Sequence, residues 1–475
     1  MKIEERDLDE AFTFIKNYAK TKNISTLSCG VVNKSSLIGS CHSETTDEEL
    51  SQTVDINSQF RIASISKSFT AAAILRLRDN GFLELDQPVN DHIPNINFIY
   101  PFVNSPKVTV RQLLVMTSGL PNCDPWSDRK LDMSQEEIER VFTSGVFLSH
   151  TPGTNAIYSS FGYAILGQIV RTTTGINLQE YVSQNILGPL GMDNTTWEPK
   201  TNNFIRGYRQ DTKKLEPYLK DGAIAPMGGL WTTVEDLSKW VSFYLDSYND
   251  NSSKYENILK ADSRLEQQKI WSTYSNSYGP SNHCYKITYG MGLGVSNTGL
   301  GMQISHLGGL PGYGSGMCWY PSYGIGLVIL ANSTYCIEPA LLADSIKKII
   351  SSSQVIQIST VEPDCQILQK RVKQVIQTIK CWINSENDCD NSMFGSNFFD
   401  DVDLEQRVHE LQNIIGNNSF TINAQFLSNV EAALTIEIEG SENSHNLCMV
   451  LNPENPPKIQ MLKLIDSKPT VTSDT

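Results

Sequence analysis

The spacing of apolar residues first predicts a helix, a strand pair and a buried helix. The opening segment, "MKIEERDLDEAFTFIKNYAKTKN", has the charged, amphipathic pattern of a surface helix. "TLSCGVV" and "SLIGSC" follow as two strands joined by a turn at Asn33 and Lys34. "FRIASISKSFTAAAILRLRDNG" is apolar on nearly every face from Phe69 to Leu75, which predicts a buried helix with Gly81 as its C-terminal cap.

Strand signals return in the second half of the first 350 residues. Residues 82–245 are rich in helix starts and turns, whereas "ITYGMGLGVS", "GMQISHLGG", "SGMCWYP" and "GIGLVILANS" predict short strands of an antiparallel meander. "PALLADSIKKIISSS" predicts a helix that covers this sheet. Because strands at both ends bracket a helical middle, we predict an α+β fold. Its antiparallel sheet is built from both ends of the domain and flanked by helices, with a helical subdomain.

The C-terminal part of the chain predicts a separate domain. "CQILQKRVKQVIQTIKCWI" has an amphipathic helical pattern, "SENDCDNSM" is a polar link, and "LEQRVHELQNIIG" is a second helix that precedes alternating strands. No residue cluster here suggests chemistry. We therefore predict a first, larger domain over residues 1–353 and a small α+β domain of unknown role over residues 354–475.

Composition narrows the class of protein. The chain has 475 residues, of which 40% are hydrophobic, as in a soluble globular protein. A net charge of −14 argues against nucleic acid or an anionic membrane as a partner. The start lacks the apolar core of a secretory signal, and ten scattered cysteines show no metal-ligand spacing. We predict reduced thiols, no metal and a cytoplasmic location.

The segment "ASISKSFTA" carries the candidate chemistry. If a helix begins at Ser64, Lys67 lies one turn later on the same face. An apolar setting and the positive end of the helix dipole both lower the pKa of a lysine, so its amine could accept the serine proton. The alternative is that Ser64 is an N-cap and Lys67 a solvated charge, and an isolated SxxK favours that alternative.

Two further stretches favour catalysis. "PGTNAIYSSFGYAILG" places Tyr158 and Ser160 before a helix, and "ISHLGGLPGYGSGM" places His306 at a strand end followed by glycines. In this order, with SxxK at 64–67, the stretches resemble the serine β-lactamase and penicillin-recognising family, marked by SxxK, YxN, and KTG or HxG. The resemblance spans about residues 5–350 and is strongest to the class C β-lactamase, D-aminopeptidase and carboxylesterase branch.

The resemblance implies a role for each residue of the motifs. Ser64 would attack a carbonyl carbon and form an acyl-enzyme, while Lys67 accepts its proton. Tyr158 would carry a proton to the leaving group. The amide N–H groups of Ser64 and Gly309 would form an oxyanion hole, and His306 would polarise the network or bind a substrate carboxylate. No cofactor is implied.

Two departures from the family pattern bear on the substrate. Ser160 stands where the family has an amide-binding Asn, and His306 replaces a permanently charged Lys. Both changes should weaken the binding of a penicillin. The sequence has no GxSxG nucleophile motif, which argues against an α/β-hydrolase. We predict a serine hydrolase of esters, D-amino acid peptides or small amides, with a homo-oligomer left open. The alternative is a catalytically weak or inactive protein of the same fold, used as a binding or filament-forming scaffold.

Overall fold

The chain divides into two compact units, residues 1–357 and 358–475. The structure is a computed structural model, and the described residues are 3 and 6–465 except 46, 48–49, 51, 201–203, 250–253, 277–284, 353–365, 385–387, 396–397, 402, 417, 427–430, 440–443 and 453–455. The domain boundary predicted at residues 353 and 354 lies outside the described residues.

The first unit is built on one eight-stranded sheet. The strands are β1 (Thr26–Asn33), β2 (Leu37–Glu44), β7 (Ser272–Asn276), β8 (Tyr285–Tyr289), β9 (Gly294–Thr298), β10 (Gly301–Leu310), β11 (Tyr313–Tyr320) and β12 (Ile325–Ala331). Their order is β2-β1-β12-β11-β10-β9-β8-β7. Strand β1 pairs antiparallel with β12, with Gly30 opposite Val328, so both ends of the unit meet in one sheet. The predicted α+β fold is confirmed.

The segment "ITYGMGLGVS" differs from its prediction as a single strand. It forms the end of β8 and the start of β9, with a turn between them, and the preceding strand β7 was not predicted. Gly292 in this turn has φ +74°, and a Cβ atom there would lie 2.7 Å from the carbonyl oxygen of Lys67. The turn therefore brings the backbone of the sheet against the start of the SxxK helix, where only glycine fits.

Helices cover both faces of the sheet. They are α1 (Arg6–Thr21), α2 (Ser66–Asp79), α3 (Val89–His92), α4 (Val110–Leu114), α5 (Asp124–Ser127), α6 (Gln135–Ser144), α7 (Ser160–Thr174), α8 (Leu178–Val182), α9 (Val234–Asp246), α10 (Ala261–Gln267) and α11 (Pro339–Ser352). Helices α1 and α11 enclose a smaller core on one face. The larger core lies among the remaining helices and the other face. Four short strands of the described part of the first unit lie outside the main sheet and form two pairs: β3 (Phe60–Arg61) with β6 (Trp231–Thr232), and β4 (Phe98–Ile99) with β5 (Val146–Phe147).

Helix α2 has the burial that its composition predicts. Its residues from Phe69 to Leu75 are buried, and the Phe69 ring stacks on Trp240 of α9 at a centroid distance of 3.9 Å. Gly81 follows the last turn with φ +76°, in the left-handed conformation expected of a C-terminal cap residue. The core therefore fixes this helix from all sides and holds its N-terminal turn in place.

The second unit has its own hydrophobic core. It contains α12 (Gln366–Ile383), α13 (Phe398–Asp401), α14 (Leu404–Ile415) and a four-stranded antiparallel sheet of β13 (Phe420–Phe426), β14 (Glu431–Ile438), β15 (Ser444–Leu451) and β16 (Ile459–Ile465). The predicted small α+β architecture is present, with its two main helices before the strands.

One cysteine pair corrects the sequence analysis. Cys381 and Cys389 form a disulfide, so the prediction that all ten cysteines are reduced thiols is wrong for this pair. The chain after α12 folds back on the last turns of the helix, where Thr378 Oγ1 donates to the Asp390 carbonyl at 3.1 Å. This reversal brings together two cysteines eight residues apart. Because the cytoplasmic location was predicted from reduced thiols, it loses part of its basis.

Candidate active site

Ser64 lies in a one-turn 3-10 helix, Ala63–Ile65, which leads into α2. Ala63, just before it, has φ +49°, a left-handed conformation that is uncommon for a residue with a Cβ atom. Strained backbone of this kind persists where the surrounding structure enforces it, and it is common at active sites. The turn presents Ser64 at the N-terminal end of a buried helix.

The neighbouring hydroxyl groups have structural partners. Ser66 Oγ accepts a hydrogen bond from the Leu230 amide at 3.2 Å, and Ser68 Oγ accepts one from Trp240 Nε1 at 2.9 Å. Both side chains are fully buried, whereas Ser64 is partly exposed. Ser64 is therefore the serine of the motif that a substrate can reach.

Lys67 contacts Ser64 directly. Its Nζ donates hydrogen bonds to Ser64 Oγ at 2.8 Å and to the Met227 carbonyl at 2.9 Å. The side chain is fully buried, and this burial lowers the pKa of the amine to about 8, against the opposing effect of Asp124 and Asp128. The amine is therefore neutral for about one-tenth of the time at pH 7, and its lone pair can then take the serine proton.

Tyr158 completes a three-residue cluster. Lys67 Nζ lies 5.0 Å from the centroid of the Tyr158 ring. Burial raises the pKa of the Tyr158 hydroxyl well above its ordinary value, although a side-chain hydrogen bond with Ser64 opposes this effect. The phenol therefore stays protonated, so it can donate a proton or relay one, while Lys67 is the better base.

His306 is held in one tautomer by its neighbours. Its Nδ1 lies 2.6 Å from the Leu307 carbonyl, which can only accept, so Nδ1 carries the proton. Its Nε2 lies 3.1 Å from the Tyr289 hydroxyl and accepts from it. Burial, together with the charge of Lys67, lowers the pKa of the ring to about 3. The ring is neutral, so it offers no positive charge to a substrate carboxylate and instead orients Tyr289.

The glycines after His306 bring β10 against the nucleophile turn. A Cβ atom on Gly308 would lie 2.2 Å from the Ile62 carbonyl oxygen, which also accepts a hydrogen bond from Ser315 Oγ at 2.8 Å. At Gly309, a Cβ atom would collide with the ring of Tyr335, at 2.0 Å. Gly308 thus allows the backbone of β10 to approach Ile62, directly before the turn that carries Ser64, while Gly309, the next residue of the strand, packs against the side chain of Tyr335.

Ser160 does not stand free at the start of α7. Its hydroxyl donates to Asp124 Oδ1 at 2.6 Å, so its one hydrogen-bond donor is used within the protein. Asp124 also acts electrostatically on Lys67 and Tyr158. The polar neighbour of the cluster at this position is therefore a carboxylate bonded to a serine, where the family pattern has an amide.

Two acidic residues of the site were missed in the sequence. Asp124 begins α5, and Asp128 follows it by four residues and accepts a hydrogen bond from the Tyr335 hydroxyl. Burial raises the pKa of Asp128 to about 7, and the charge of Asp124 adds to this effect. The available signal was the pair of carboxylates one helical turn apart in "NCDPWSD", directly after "TSGLP".

Metal ligands and membrane-spanning helices also bear on the class of site. Within the described part of the chain, no three His, Cys, Asp or Glu residues are grouped so that they could hold a metal ion. Nor does any described helix have the length and apolar character needed to cross a membrane.

Comparison with known proteins gives the family. Residues 13–347 match the β-lactamase family. Protein flp of Staphylococcus aureus (strain MRSA252) is 28% identical over 284 residues, which are 58% of this chain and 52% of that protein. Beta-lactamase-like protein 4 of Dictyostelium discoideum is 30% identical over 301 residues, 58% of this chain and 51% of that protein. The chain spans about half the length of these relatives.

Solved structures agree on the fold. The octameric penicillin-binding protein homologue from Pyrococcus abyssi matches with a TM-score of 0.61 at 20% identity, covering 94% of this chain and 91% of that chain. A class C β-lactamase matches with a TM-score of 0.60 at 19% identity, covering 74% of this chain and 98% of that chain. Since the family match covers most of the chain, and the fold agrees, this protein belongs to the β-lactamase family.

Proposed function

We propose that this protein is a serine hydrolase that acts through an acyl-enzyme on esters, D-amino acid peptides or small amides. The contact between Ser64 Oγ and Lys67 Nζ, at 2.8 Å, carries the proposal. A buried lysine with a lowered pKa, in hydrogen-bond contact with a partly exposed serine, is the arrangement that activates a hydroxyl nucleophile. A binding scaffold gains nothing from burying that amine, because burial of a cation costs free energy.

The cluster supports a complete acylation step. Ser64 Oγ attacks the substrate carbonyl carbon while neutral Lys67 takes the hydroxyl proton. The carbonyl oxygen becomes an oxyanion, which we place at the amide N–H groups of Ser64 and Gly309. The bond to the leaving group then breaks as Tyr158 donates its proton to the departing atom, and Lys67 returns a proton to Tyr158. Water hydrolyses the resulting ester of Ser64 and releases the acid.

The surroundings of the cluster favour esters and small amides over penicillins. The Ser160 hydroxyl is bonded to Asp124, and the His306 ring is neutral, so neither offers the amide or carboxylate contact that the family pattern provides. A short ester requires neither contact. We therefore place the activity among esterases and D-aminopeptidases of the family.

Covalent labelling tests the proposal. The full chain is incubated with a fluorophosphonate probe, and intact mass shows whether one probe group is added. We expect labelling of the wild type and of Ser66→Ala, whose lost hydroxyl lies in the same motif, and none of Ser64→Ala. Circular dichroism checks that both variants fold. An unlabelled wild type, or a labelled Ser64→Ala, contradicts the proposal.

A further inference from the structure

A pocket of about 220 Å³ lies beside the catalytic cluster in the first unit. Leu310, the residue after Gly309, lines it, and so does Asp128, whose charge acts on Lys67. Most of its wall is apolar or aromatic, and its other main lining side chains are Arg61, Phe204, Arg206, Tyr218, Trp231 and Tyr313. Arg61 precedes the nucleophile by three residues. The pocket is thus lined by residues that adjoin the Ser64 turn and the HxG strand in sequence, which makes it the candidate site for the far end of a substrate.

Arg61 is the unusual member of the lining. Its side chain is 4% exposed, and Nη2 donates to the Leu219 carbonyl at 2.9 Å. Its Nε is buried and has no hydrogen-bond partner in the described part of the chain. Nor does any described carboxylate lie within ion-pair distance of it. A buried guanidinium with an unused N–H donor costs free energy unless a ligand supplies the acceptor.

The guanidinium is also held rigidly. Its central carbon lies 5.0 Å from the centroid of the Trp231 ring and 5.8 Å from that of Tyr218. Such stacking fixes the plane of the guanidinium group before any ligand binds. A planar, preorganised fork of N–H donors is complementary to a carboxylate, which can accept two parallel hydrogen bonds.

The charges around the pocket favour an anion. Its two acidic residues are engaged elsewhere, because Asp128 accepts from Tyr335 and Glu216 forms an ion pair with Arg129 at 2.8 Å. Arg206, exposed at the edge of the pocket, forms no ion pair with any carboxylate that the structure describes, and its Nε donates to Gln52 Oε1 at 3.4 Å. Asp221 and Glu198 act on Arg61 through their charges, but neither is in ion-pair contact with it. Among the described residues, the two cations of the pocket therefore have no carboxylate in ion-pair contact, and its two acids already have partners.

We propose that this pocket binds a carboxylate on the substrate, remote from the reacting carbonyl, and that Arg61 is the residue that determines this specificity. The inference rests on the proposed function, since the carboxylate belongs to a molecule that Ser64 attacks. The substrate class is thus the monoesters or monoamides of small dicarboxylic acids, including acyl groups that end in a carboxylate.

Turnover tests the preference directly. The probe pair is the p-nitrophenyl monoester of glutaric acid and the same compound with its free carboxylate methylated. We expect the wild type to prefer the free acid by about tenfold or more in kcat/KM. Arg61→Met should abolish the preference, measured as the ratio of kcat/KM for the free acid to kcat/KM for the methyl ester. Arg209→Gln, an exposed arginine outside the pocket, should leave the preference unchanged. Equal preference in wild type and Arg61→Met overturns the inference.

Binding separates this inference from the proposed function. In the Ser64→Ala chain, calorimetry with monomethyl glutarate measures the pocket without any turnover. We expect binding that Arg61→Met removes and that added salt weakens. Binding of monomethyl glutarate without turnover by the wild type would support the carboxylate pocket and contradict the proposed hydrolase activity. Absence of binding would contradict the carboxylate pocket. If Arg61→Met fails to fold, the exposed substitution Arg206→Glu should reduce the preference for the free acid, and an unchanged preference overturns the inference.

Discussion

Asp124 raises the pKa of Lys67, the base in the proposed mechanism, so removing its charge should speed the reaction at neutral pH. Burial lowers the pKa of Lys67 from 10.5 to about 8, and Asp124 is the strongest of the groups that oppose this shift. A net shift of this size corresponds to about 3 kcal/mol, and it raises the neutral fraction at pH 7 from about one in three thousand to about one-tenth. In Asp124→Asn the opposing charge is gone, so the pKa falls further. A fall of one unit would bring the neutral fraction at pH 7 to about one-half, about five times the wild-type value.

The pH profile of labelling measures this effect. A base acts when it is deprotonated, so the rate constant for fluorophosphonate labelling should rise with pH through the pKa of Lys67. We expect a midpoint near pH 8 in the wild type. In Asp124→Asn we expect a more acidic midpoint and a higher rate at pH 7.

A matched variant controls for the loss of an acid from the same stretch of chain. Asp132→Asn removes an exposed carboxylate eight residues later and should reproduce the wild-type profile. A midpoint in Asp124→Asn that stays in place or moves to higher pH would refute the electrostatic argument. Asp128 also raises the pKa of Lys67. The double variant Asp124→Asn with Asp128→Asn should therefore shift the midpoint further than Asp124→Asn alone.

Three further predictions test packing, selectivity and domain independence. Gly292→Ala should lower Tm and reduce labelling by about tenfold or more, because the left-handed backbone at Gly292 and the adjacent start of α2 leave no room for a Cβ atom. Gly299→Ala is the control, since a Cβ atom at Gly299 has no neighbour within 4 Å. The wild type should hydrolyse short p-nitrophenyl esters with a higher kcat/KM than penicillins, and Ser160→Asn with His306→Lys should shift the ratio toward penicillins; a wild type that already prefers penicillins contradicts this. A chain ending at residue 353 should fold and label as the full chain does, as thermal melting, labelling and sedimentation will show; an insoluble or unlabelled product contradicts it.

Local periodicity explains why much of the first unit could be predicted. Strand alternation and the all-round apolar pattern of α2 depend on residues close in sequence, so the sheet built from both ends and the buried helix followed from the sequence. The break between β8 and β9 did not, because it depends on the contact of Gly292 with the backbone of a distant helix. The Cys381–Cys389 disulfide was missed for the same kind of reason, since only the chain reversal after α12 brings the two thiols together.

In the candidate site, too, the features set by local sequence could be predicted and those set by tertiary contacts could not. SxxK spacing is local, and it predicted the contact of Ser64 with Lys67. Spacing gave no sign that the Ser160 hydroxyl would be taken by Asp124, 36 residues away in sequence. It also gave no sign that His306 would be locked as a neutral ring by the Leu307 carbonyl and Tyr289. These partners arise from tertiary packing, and under the proposed function they would determine which substrates are accepted.

The charges of the site are arranged in two regions that favour different parts of one substrate. Near Lys67, carboxylates and a protonated phenol surround an amine whose neutral form is favoured by burial, so this region suits an uncharged carbonyl under attack. In the neighbouring pocket, Arg61 has a buried Nε–H without a partner, so that region suits an anion. A carboxylate close to the reacting carbonyl would meet Asp124 and a neutral His306, whereas one several bonds away would reach Arg61. The distance between the carboxylate and the scissile bond is therefore the variable on which selectivity should depend most.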